Sequence, residues 1–139
     1  MGYYASYKAV FDAVKAAVEA KESIKTVILG ERFTVGNLPK AIINAEASPI
    51  GQATMGELTQ TKVRGSIILI ILEYEPKDWF KDIIAVMSDC VDAILDDRTL
   101  NGSVFDCIPT SFSPGEIKFK EKVYYGGVVR WEAILNYEP

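Results

Sequence analysis

Four carboxylates lie close together in this chain, Asp89, Asp92, Asp96 and Asp97, and they form its densest acidic group. On a helix, Asp89, Asp92 and Asp96 share one side, an arrangement that suits a divalent cation or a pair of acid–base carboxylates. The rest of the chain supplies little to complete such a site. It contains no histidine, so the commonest general base and the commonest metal ligand are both missing. Ser-His-Asp and Cys-His catalysis are therefore excluded within one chain. Cys90 and Cys107 are too few and too far apart for a zinc site or a CxxC pair. They also lack the basic sequence neighbour that makes a thiolate reactive, so free, mostly buried thiols are expected. The run Asp96 to Leu100 lacks the alternating oxygen ligands of an EF-hand loop. Neither Gly30 to Gly36 nor Gly126-Gly127 carries a phosphate-binding fingerprint, and both read as turn chemistry. Tyr124, Tyr125 and Arg130 have the types needed to stack bases, but without a basic groove packing is the better reading. The aspartates thus read as a solvated helix face. No catalytic residue, metal ligand or cofactor is assigned, and the chain is expected not to be an enzyme.

Composition narrows the class further. The chain has 139 residues, enough for one domain that buries about two-thirds of its unfolded surface. Hydrophobic residues make up 49% of it, which fits a packed globule and excludes a disordered chain. Nineteen acids against 15 bases give a net charge of −4, with no basic run to grip phosphates. The longest apolar run, Ile67 to Leu72, is too short to span a bilayer. The first residues show no secretory pattern, and Gly2 with Ser6 is a poor myristoylation match.

The elements that would position these residues can be read from periodicity. Tyr3, Tyr7, Val10, Phe11, Val14 and Val18 recur at three- and four-residue steps, predicting a helix over 3–21. A short strand follows over 25–29, closed by Gly30. Pro39 cannot donate to a sheet ladder and should open the next strand, 40–45. Residues 46–58 read as a flexible loop or a hairpin arm. The longest strand, 58–74, carries an apolar run without alternation, so both its faces should be covered. One face suits helices; the other suits a neighbouring subunit or the domain's own chain. Glu75-Pro76 opens a second helix, with the proline in its first turn and Asp78 suiting the dipole. Its buried stripe is Phe80, Ile84, Met87, Val91 and Ile94, widened by Ile83 and Leu95. Asn101-Gly102 is a turn pair because both residues tolerate positive φ. Strands are predicted near 104–110, 117–123 and 128–137. In the last, Val129, Trp131, Ala133, Leu135 and Tyr137 share one face, with Arg130, Glu132 and Asn136 on the other. The fold class is α+β: an antiparallel or mixed β-sheet with two main α-helices packed on one face.

This order of parts resembles a known family. It comprises a helix ending in aspartate before Thr99-Leu100-Asn101-Gly102, a Phe112-Ser113-Pro114-Gly115 loop and a final strand after Gly126-Gly127. Upstream, a glycine at 30 leads through a loop to Pro39 and the apolar strand Lys40 to Asn44. The pattern covers residues 5 to 137 and resembles the tail terminator proteins of long-tailed phages, with which related tail-completion and neck proteins share it. The resemblance implies a single structural domain, a virion location and a homo-oligomeric ring, usually a hexamer, formed by head-to-tail contacts that close. Its partners would be the tail tube protein and a neck or head-completion protein, with DNA passing through unbound and no membrane involved. Candidate subunit-interface residues are Ile68, Ile70, Leu72, Pro49 and Ile50. Candidate lumen residues are Asp96, Asp97 and Glu132. Alternatives are a neck or head-closure connector, a cytosolic small-ligand-binding domain or enzyme, and a host-partner adaptor.

Overall fold

A computed structural model describes residues 3–30, 37–48, 53–55, 58–119 and 121–137, with backbone alone at 53–55, 58–60 and 136–137. The first helix, α1 (Tyr3–Glu19), buries Val10, Phe11, Val14 and Val18 along one stripe, as its three- and four-residue spacing requires. Strand β1 (Thr26–Leu29) pairs in parallel with β2 (Lys40–Ala45), which opens immediately after Pro39. The short β3 (Ala53–Met55) folds back antiparallel on the start of β4 (Leu58–Leu72).

The second helix starts later than its sequence suggests. Pro76 is buried but lies ahead of the helix. The Asp78 carboxylate instead accepts from the backbone N–H groups of Phe80 and Lys81, at 3.1 and 3.3 Å, and so caps the first turn. A π turn, Phe80–Ile84, then runs into α2 (Ala85–Leu95). The stripe needs correction in part: Ile83, Met87 and Ile94 are buried as read and Cys90 and Ala93 join them, whereas Phe80 is 79% exposed and Leu95 is 48% exposed. A π turn holds more residues than an α turn, which breaks the 3.6-residue register between Phe80 and the rest of the stripe.

Beyond α2, Leu100, Asn101 and Gly102 all take positive φ (48°, 56° and 83°). Leu100 is the unexpected member of the three. Its side chain is only 2% exposed and anchors in the core, which holds a bulky residue where its backbone alone would not go. The chain then forms β5 (Asp106–Phe119) and β6 (Lys122–Tyr137), one long hairpin in place of the three strands expected. Phe112 to Gly115 is therefore not a loop, because all four residues pair with Gly126 to Val129 of β6. Proline in a strand is tolerated where its nitrogen faces no ladder partner, and β5 is an edge strand.

The sheet order is β1-β2-β4-β6-β5, with β3 attached to β4, and every neighbouring pair except β1–β2 is antiparallel. Both helices pack on one face: α1 contacts β1, β2 and β6, while α2 contacts β5 and β6. Between the layers lies the main core, which includes Ile43, Ile67, Leu69, Val129, Trp131 and Leu135. Trp131 fits there because Gly65, its neighbour across the ladder, has no side chain; a Cβ at Gly65 would run into the indole ring. The α+β fold class read from the sequence holds.

Candidate functional site

The helix layer holds the acidic group. Lys21, just past α1, reaches Asp96 at 3.0 Å, and the Ser23 hydroxyl donates to Asp89 at 2.6 Å. These contacts tie the end of α1 to α2. Nearby carboxylates raise the Lys21 pKa, chiefly through the hydrogen bond that Lys21 donates to Asp96. Asp97 accepts from the Asn101 backbone N–H at 2.7 Å and from the Thr99 hydroxyl at 3.1 Å, and so closes the turn after α2. Among the described residues, no group of three or more Cys, Asp or Glu side chains is placed to hold a metal ion.

Open grooves among the described residues include three of about 430 to 510 Å³. One runs between α2 and β5 and is lined by Ser88, Asp92 and Phe112, among others. Another lies between the alanines of α1 and the turn at Asn101. The third lies beside Pro39 and Tyr74. Each is open to solvent; the second is lined by Asp12 and Asp97 and the third by Glu73 and Asp82. Cys90 and Cys107 are free and buried, and burial pushes both thiols up to about 12. They do not supply a nucleophile.

Among the described residues, no helix covers the opposite face of the sheet, which is divided in character. At one end Ile42, Ile70 and Tyr124 are buried, with Ile28, Ile68, Ile117 and Phe119 partly buried around them. This apolar band crosses the whole sheet, from β1 at one edge to β5 at the other. At the other end lies a row of paired charges. Arg64 meets Glu132 at 2.8 Å, Lys62 meets it at 3.9 Å, and Arg130 meets Glu46 at 3.1 Å.

The residues singled out from the sequence are scattered by this architecture. Ile70 is 0% exposed in the band, so it has no surface to offer a subunit. Its apolar character satisfies its own domain. Leu72 packs against the main core and is partly buried, while Ile68 keeps part of its surface on the open face. Pro49 and Ile50 lie outside the described residues. Asp96 and Asp97 sit in the helix layer, whereas Glu132 lies on the opposite face of the sheet and is matched by two cations. The three candidate lumen acids therefore do not converge.

Sequence reasoning missed the free edge of β5. Asp106, Ile108 and their neighbours leave β5 hydrogen-bonded only on the β6 side among the described residues. Its signal was present as Pro109 and Pro114, two prolines within a strand-forming run, which together mark an edge. Compared with known proteins, the chain matches no protein-family model and none of the curated proteins.

Proposed function

We propose that this protein is a structural subunit of the phage tail-terminator kind, which closes into a ring, caps the tail tube and joins the tail to the neck of the capsid. The observation that supports this reading is the sheet's two dissimilar edges, β1 and β5, on opposite sides of the domain and both unpaired among the described residues. Two different surfaces on opposite sides give head-to-tail contacts, which generate a ring when the rotation closes and a filament when it does not.

Within this reading the virion is the site of action, and DNA passes through the ring without specific binding. Capping is tested with purified tail tubes: the protein should decorate one tube end and stop further addition of tube subunits. Binding to the portal side of the neck without tube capping would make it a head-closure connector instead.

A further inference from the structure

Resting on the ring-forming reading, we infer that copies join by adding strand to strand: residues 115–119 of β5 pair antiparallel with residues 26–29 of the second copy's β1. The edge of β5 is not uniform. Cys107 turns its backbone N–H away from the ladder, to the carboxylate of its own neighbour Asp106 at 3.0 Å. Cys107 lies opposite Ala133, Pro109 opposite Trp131, Pro114 opposite Gly127, Glu116 opposite Tyr125 and Lys118 opposite Val123. All five partners have odd numbers on β6, and the bulge between Pro109 and Ser111 keeps the alternation in step. The outward nitrogens are therefore those of Cys107, Pro109, Phe112, Pro114, Glu116 and Lys118. Cys107 is already satisfied, and the two prolines have no proton to give. The first two-thirds of the edge is closed to another strand, and only the stretch from Gly115 to Phe119 remains open.

Several features of the same chain fit that opening. The other free edge, β1, is four residues long, which matches the five-residue opening. In sheet order β1 runs with β2, against β4, with β6 and against β5. Copies held in the same orientation therefore bring β5 and β1 together antiparallel, the more stable sense of pairing. Ile117 and Ile28 both belong to the apolar band of the open face. Placing them opposite each other continues that band from copy to copy, with Glu116 then opposite Leu29.

The test uses the full chain. Lys118→Pro removes an outward donor in the way that Pro109 and Pro114 already do, and Lys118→Ala keeps it. By light scattering over a concentration series, Lys118→Pro should raise the concentration for half-assembly about tenfold or more, the equivalent of one lost hydrogen bond, while Lys118→Ala should not. Circular dichroism establishes that each variant is folded. Independently, the double variant Glu116→Cys with Leu29→Cys should form a ladder of covalent oligomers on mild oxidation, whereas each single variant should not. The buried native thiols do not interfere. Oligomers that neither cross-link nor respond to Lys118→Pro would overturn the edge pairing and leave the ring standing. A parent chain that is monomeric throughout, with no cross-linked ladder, would overturn both.

Discussion

Cys90 and Cys107 show how burial decides what a residue can do. Both lie in the main core, and loss of solvation pushes their thiols up to about 12, with the neighbouring carboxylates of Asp89 and Asp106 adding to the rise. A thiol reagent at pH 8 should therefore label neither cysteine in the native protein and both in denaturant. Native labelling at the rate of a free thiol would contradict this placement. The Arg98–Asp106 pair behaves differently because it lies at the surface. Arg98 donates to both carboxylate oxygens, at 2.9 and 2.6 Å, and this hydrogen bonding holds Asp106 below its ordinary value of 3.8. A carboxyl lowered by folding contributes stability that is complete above 3.8 and disappears as pH falls through the lowered value. The stability difference between the parent and Arg98→Gln should therefore be largest near neutral pH and shrink below 3.8. Urea midpoints across this range check it, and a difference that stays constant in acid would contradict it.

At the scale of elements, the sheet depends on a close approach. Gly65→Ala would place a Cβ against the Trp131 indole and should cost about 1–3 kcal/mol through overpacking. The indole N–H of Trp131 is buried without a hydrogen-bond partner. Trp131→Phe discards that unsatisfied donor and keeps most of the ring, so it should cost well below the about 3–5 kcal/mol expected of Trp131→Ala. Denaturant melts would rank the three, and a Trp131→Phe variant as unstable as Trp131→Ala would contradict this account. Loss of the cap in Asp78→Ala should cost about 1 kcal/mol.

These elements also show what the sequence could reveal. The stripe of α1 and the alternation of β6 were legible because one face of each is buried, and burial imposes periodicity; β2, buried on both faces from Lys40 to Ile43, was legible from its apolar run and the proline ahead of it. The continuity of β5 was not, because its burial alternates on either side but breaks at the exposed run Phe112 to Pro114, which splits the strand when read from the sequence. Its prolines, read locally, signal a turn. The start of the second helix misled for a related reason. Pro76 suits a first helical turn, but the carboxylate of Asp78 two residues later offers two backbone donors a partner and sets the boundary. The candidate interface failed at Ile70 because an apolar residue in a run cannot reveal whether its own chain or a neighbour covers it. Here its own chain does.

At the scale of the whole molecule, the central claim is that dissimilar sides of one domain meet and close. The helix layer and the sheet core are satisfied within the chain, whereas the two sheet edges and the exposed Phe80 and Phe105 are not. A closed ring satisfies the edges of every copy, which a twofold dimer built on one edge cannot do. The most direct measurement is native mass by light scattering over a concentration series, with negative-stain imaging of the largest species. The account predicts closed rings of one copy number with a central hole of a few nanometres. A monomer at every concentration, or a compact dimer without a hole, would contradict it.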